Sequence, residues 1–154
     1  MNDLSTFCPR RILVCQQRQI GDVLLSTPVF ELLKRRFPEA ELHLFTEKKC
    51  EPLLRHNPFI HAFHLIEKKG GFFRQLAFYR EVAALGFDLV IDLQQLPRCR
   101  MMRLMSRAPV RLSFPSSIFS RLRYNCLVRP EEGYASQTKV SLLAPLGIRW
   151  QGEG

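Results

Sequence analysis

Short apolar runs alternate with helically spaced apolar positions from one end of this chain to the other. Arg11-Ile12-Leu13-Val14-Cys15 is a compact apolar run before a polar loop, the pattern of a strand buried on both faces. Val23, Leu24, Val29, Phe30, Leu33 and Phe37 then recur at helical spacing and predict a helix over 23–36, with Pro28 in its first turns or at a kink and Pro38 just past its end. Glu41–Phe45 alternates and reads as a second strand, 47–55 as a short helix closed by Asn57-Pro58, and His61–Ile66 as a third strand. Lys68-Lys69-Gly70-Gly71 forms a loop, and 72–85 returns to helical spacing, with Gly86 in the position that ends a helix. Asp88–Leu93 is the clearest strand; 101–106 predicts one or two helical turns, Val110–Phe114 a fifth strand, 115–132 an irregular stretch, and 134–146 a last helix ended by Gly147. Strands alternating with helices build right-handed crossovers, so the expected class is α/β: a Rossmann-like, doubly wound parallel sheet.

In such a sheet ligands gather where loops leave the carboxyl ends of the strands. The first of these loops is Gln16-Gln17-Arg18-Gln19-Ile20-Gly21-Asp22. It lacks the glycines of a dinucleotide or Walker A loop. Gly21 permits a tight turn and a close backbone approach. Asp22 stands at or beside a helix start, where the helix dipole favours negative charge, and two roles fit it: an N-cap, or a carboxylate that takes a proton from a hydroxyl.

Charge narrows the partner. The 154 residues carry 23 Lys and Arg against 14 Asp and Glu, a net +9, which calls for an anionic partner. The excess is local: from Leu93 to Pro130 there is no acidic residue and no Lys, yet Arg98, Arg100, Arg103, Arg107, Arg111, Arg121, Arg123 and Arg129 all fall there. Arg98 follows the end of the Asp88–Leu93 strand and projects from the same sheet edge as Asp22; the others read as a solvated helix face. Five scattered cysteines without a C-x-x-C pair read as small apolar fillers in a reducing compartment. No run approaches about 18 consecutive apolar residues. His43, His56, His61 and His64 show no carboxylate or Cys partner in the linear pattern, so no metal site is assigned. The aromatic-rich 72–85 segment reads as core.

Ile12-Leu13-Val14 followed by Ile20-Gly21-Asp22-Val23-Leu24-Leu25-Ser26-Thr27-Pro28-Val29 resembles the opening of the lipopolysaccharide heptosyltransferases, glycosyltransferase family 9. Arg36–Glu41, Asn57-Pro58, Phe87–Gln94 and Leu142–Ile148 continue the likeness in order, and the Arg18–Asp22 form is similar to the heptosyltransferase III subgroup. The resemblance implies the N-terminal half of a GT-B architecture, with an acceptor-binding domain over 1–148, the start of a linker at 149–154, and a nucleotide-sugar domain absent from the chain. It implies inverting transfer of heptose from ADP-heptose to the lipopolysaccharide inner core, with Asp22 as base and no cofactor. The donor is expected to bind mainly the absent domain, so the chain is expected to be inactive alone. Acceptor contacts fall to Arg98, Gln94, Lys68, Lys69 and Arg18, while Gln94 equally suits a strand-end cap. Tyr134 and Gln137 sit where the family begins a helix near the acceptor cleft, Tyr134 in a packing role. Many members carry a basic residue at the position of Gln16. The implied location is cytoplasmic, peripheral on the inner face of the inner membrane, without specific nucleic-acid binding. The alternative is a basic, non-catalytic Rossmann-like module that binds nucleic acid or another anionic partner through its arginines.

Overall fold

A computed structural model describes residues 4, 6–17, 20–66, 69–94, 96–114, 126–128 and 133–150. Six strands form one sheet: β1 (Arg11–Cys15), β2 (Glu41–Glu47), β3 (Ala62–Ile66), β4 (Leu89–Asp92), β5 (Val110–Ser113) and β6 (Cys126–Leu127). Every pair is parallel and the order is β3-β2-β1-β4-β5-β6. This is the Rossmann order, and the direction of winding reverses between β1 and β4.

Helices cover both faces. On one face, Ile12, Val14, Leu42, Leu44, Leu89 and Ile91 pack with Val29, Phe30 and Leu33 of α2 (Thr27–Arg36) and Val140 of α6 (Ala135–Ser141). On the other, Leu13, Cys15, Phe45 and Val90 meet Tyr79 and Val82 of α4 (Phe72–Ala83) and Cys99 and Met102 of α5 (Pro97–Ser106). This double burial explains why β2 is buried at every position after its first rather than on alternate positions. Cys15, Cys50 and Cys99 are buried free thiols, as fillers should be, whereas Cys8 is exposed and fills no core.

Several boundaries differ from expectation. The single helix over 23–36 is two: α1 (Ile20–Leu25) and α2, broken at Ser26 because Pro28 has no N–H and its ring crowds the preceding turn. The 47–55 segment is a 3-10 turn (Lys48–Cys50) followed by α3 (Glu51–Leu54). Helix α5 begins at Pro97 with the proline in its first turn, four residues before the expected start. Arginines interrupt its apolar pattern, yet Arg103 is only 5% exposed and belongs to the packing, not to a solvated face. Strand β6 lies within the stretch expected to be irregular. The last helix divides into α6 and a 3-10 turn (Ala144–Leu146) that ends at Gly147, whose φ of +80° suits glycine. Among the described residues no helix is long and apolar enough to cross a membrane.

Candidate functional site

The carboxyl ends of β1 and β4 define a crevice at the switch point, and the chain invests polar side chains there. Beyond β1 the backbone continues as Gln16 and Gln17. The Gln17 N–H donates to Gln94 Oε1 at 2.8 Å, and its carbonyl accepts from Glu47 N at 2.9 Å. Gln94 N in turn donates to Asp92 Oδ1 at 3.1 Å. The Gln94 carbonyl therefore ties the ends of β1 and β4 together, the cap role the sequence left open.

Gln16 is fully buried. Its Oε1 accepts from Lys139 Nζ at 2.9 Å, and the Ser26 hydroxyl lies within reach of both Gln16 Oε1 (3.0 Å) and the Asp22 carbonyl (2.9 Å). Gln16 Nε2 is buried with no hydrogen-bond partner among the described residues. Asp22 is the third residue of α1, half-buried in its first turn; it lies inside the helix rather than at its cap. Lys139 reaches this group from α6, on the far side of the chain. Burial pushes the Lys139 ammonium below its usual range, and the Asp22 carboxylate opposes that shift. A cation thus stands beside Gln16, supplied from a different element than the family pattern suggests. Sequence reasoning missed Lys139 because the contact spans |i−j| = 123, and no local pattern encodes it.

Gly21 does not make a tight turn. It is helical and exposed, and an added Cβ would meet nothing within 4 Å. No packing demand explains the absence of a side chain there. The surface beside Asp22 is left open.

Arg98 and Lys69 come together on the other face of the same edge. They line a cavity of about 450 Å³ with Lys48, Arg74, Gln75 and Tyr79, among others; Asp22 is not part of its wall. Arg98 donates to Gln75 Oε1 at 3.0 Å, which holds the guanidinium over α4. Burial raises the Tyr79 hydroxyl above its usual range, and its hydrogen bond with Arg98 works in the opposite direction. The structure thus adds Lys48 and Arg74 to the basic residues read from sequence. Arg18, Lys68, Arg121, Arg123 and Arg129 lie outside the described residues.

Two aromatic assignments reverse. Phe72 and Phe73, in the first turn of α4, are 71% and 82% exposed rather than part of the core. Tyr134 is 78% exposed ahead of α6 and packs no core. The histidines also differ from expectation. His61 precedes β3, and Glu41 joins His43 and His61 at the amino ends of the strands, a carboxylate partner that linear spacing hid.

No family model matches the chain. Lipopolysaccharide heptosyltransferase 3 of Escherichia coli is 29% identical over 140 residues, which is 83% of this chain and 40% of that protein. The same-named protein of Escherichia coli strain K12 is 37% identical over 81 residues, 49% of this chain and 24% of its own length. Among solved structures, the glycosyl transferase family 9 protein of Veillonella parvula DSM 2008 superposes with a TM-score of 0.76 at 25% identity, over 90% of this chain and 41% of that one. Escherichia coli heptosyltransferase WaaC with ADP shares the fold at a TM-score of 0.75 and 18% identity, over 94% of this chain and 50% of that one. The chain therefore spans half or less of the length of each of these four proteins. The chain is thus similar to the lipopolysaccharide heptosyltransferases in sequence along most of its length, and to glycosyltransferase family 9 in fold.

Proposed function

We propose that this chain is the acceptor-binding, base-carrying part of an inverting glycosyltransferase that moves heptose from ADP-heptose to the lipopolysaccharide inner core. One observation carries this reading furthest. An acidic side chain with an open flank (Asp22 beside Gly21) and a basic cavity (Arg98, Lys69, Lys48, Arg74) share one sheet edge, at the switch point where open α/β sheets bind ligands.

In the proposed reaction an acceptor hydroxyl oxygen attacks the anomeric carbon from the face opposite the leaving group. The bond from that carbon to the ADP oxygen breaks as the new glycosidic bond forms. The hydroxyl proton passes to the Asp22 carboxylate, and ADP departs. Inversion follows from a single displacement. Asp22 needs no metal for this role, and ADP-heptose is a substrate held mainly by a second, nucleotide-sugar-binding domain. The chain alone is not expected to turn over.

The cavity at Arg98 suits phosphate or carboxylate groups of the inner core. Guanidinium and ammonium donors there make charge-assisted hydrogen bonds, each contributing roughly 1.5–3 kcal/mol. Arg98→Ala should therefore weaken binding of a deacylated, phosphorylated inner-core oligosaccharide by about tenfold or more, measured by calorimetry on this chain. In the two-domain enzyme ADP-heptose affinity should not move. A change confined to ADP-heptose affinity would put Arg98 on the donor side and remove it from the acceptor site.

We further propose that the protein works at a membrane surface, the inner face of the inner membrane. The support is the exposed Phe72-Phe73 pair beside exposed Lys69 and Arg74, apolar wedges flanked by cations that suit anionic lipid. Phe72→Ser with Phe73→Ser should markedly reduce co-sedimentation with phosphatidylglycerol-containing vesicles at low salt. Unchanged sedimentation of the double variant would exclude these residues as the anchor.

A further inference from the structure

The side-chain cluster at the opposite edge of the sheet has no part in this chemistry. Glu41 is the first residue of β2, and the seven residues of that strand separate it by roughly 20 Å from the carboxyl edge. His43 follows on the same face of β2. His61, whose backbone N–H donates to Leu42 O at 2.7 Å, is set beside them just before β3. We propose that Glu41, His43 and His61 form a binding site for a divalent transition ion of the Zn²⁺ type, clasping the start of the edge strand β3 to β2.

The donor set and spacing suit such an ion. One ligand atom from each of the three residues lies within 4.8 Å of the other two. A tetrahedral Zn²⁺ with bonds of about 2.0–2.1 Å holds its donors roughly 3.3 Å apart. His43 Nε2 and Glu41 Oε2 already stand 3.3 Å apart, and His61 Nε2 is 3.9 Å from Glu41 Oε1. The His61 side chain is 55% exposed, so it is free to close that gap. Two imidazoles and one carboxylate leave a fourth position for water. Glu41 also lines an open surface depression with Arg10, Arg11, Glu39, Gly86 and Asp88.

The surroundings orient the ligands. His43 Nδ1 lies 2.8 Å from His64 Nε2, with the two rings stacked at an interplanar angle of 1°. An ion on His43 Nε2 requires the proton on Nδ1, which then donates to His64 Nε2. Phe87 meets the His43 ring edge-on at 5.1 Å and fixes its plane. Arg11 Nε donates to Glu41 Oε2 at 3.0 Å. A ligating carboxylate keeps such an outer partner, although the charge of Arg11 opposes the ion and moderates its affinity.

Titration of the chelator-treated, untagged chain with ZnCl₂ tests this. The expected result is saturation at one ion per chain, with a melting temperature that rises with free Zn²⁺. His61→Ala and Glu41→Gln, both at exposed or half-exposed positions, should each weaken binding about tenfold or more. His56→Ala, an exposed histidine outside the cluster, should leave it unchanged. Absence of Zn²⁺ binding overturns the proposal, as does binding that survives both cluster variants or that depends on His56. The Asp22 reading stands or falls separately, because transfer by the two-domain enzyme is not expected to change in His61→Ala.

Discussion

Asp22→Asn lowers glycosyl transfer by about 10²–10⁴-fold in the two-domain enzyme, with ADP-heptose affinity retained. The substitution keeps the size of the side chain and removes only its ability to take a proton. The fold should not suffer. Asp22 is half-buried in the first turn of α1, and losing a first-turn negative charge costs about 0.3–1 kcal/mol. A steady-state assay of ADP release, beside a melting curve and a donor titration, separates these effects. Turnover above about a tenth of wild type would remove Asp22 from the role of base. Lost donor affinity would instead assign it to the nucleotide sugar.

Phe45→Ala is the corresponding test of the scaffold. Phe45 is fully buried on the α4 face of β2, with ring centroids 6.2 Å from Phe78 and 6.1 Å from Tyr79. Truncating a buried Phe to Ala costs about 3–5 kcal/mol, a large part of the ~5–15 kcal/mol that holds a domain folded. For a chain of this size that lowers the melting temperature by roughly 6–20 °C. The damage should reach function, because Tyr79 joins the core to the Arg98 cavity. Phe73→Ala, by contrast, should change stability by no more than about 0.5 kcal/mol, since its ring is 82% exposed. A Phe45 variant within about 1 kcal/mol of wild type would contradict the packing described for α4.

The strands were legible because their pattern is local. Ile12–Cys15 and Leu89–Asp92 are apolar runs closed by polar loops, and both lie at the centre of the sheet. The placement of Gly21 and Asp22 was legible for the same reason: they follow the first strand, and chain order alone puts them beyond its carboxyl end, although both are helical rather than in a loop. What stayed hidden depends on tertiary placement. Lys139 and Gln16 meet only after α6 packs on α2. Glu41 pairs with His43 and His61 only because β2 lies beside β3. Phe72 and Phe73 carry a core-like composition, yet both are exposed in the first turn of α4. Arg103 is charged yet buried, and no periodicity argument assigns a charged residue to the core. The start of α5 was misplaced because Arg98 and Arg100 interrupt the apolar pattern of its first turn.

Backbone amide NMR of the chain, titrated with a deacylated and phosphorylated inner-core oligosaccharide, tests the central claim most directly. The account predicts shift changes at Gln17, Gly21, Asp22, Lys69 and Arg98, along the carboxyl edge of the sheet, and none at Glu41 or His61. Changes concentrated at the amino edge, or no change at oligosaccharide concentrations that saturate the full enzyme, would contradict it.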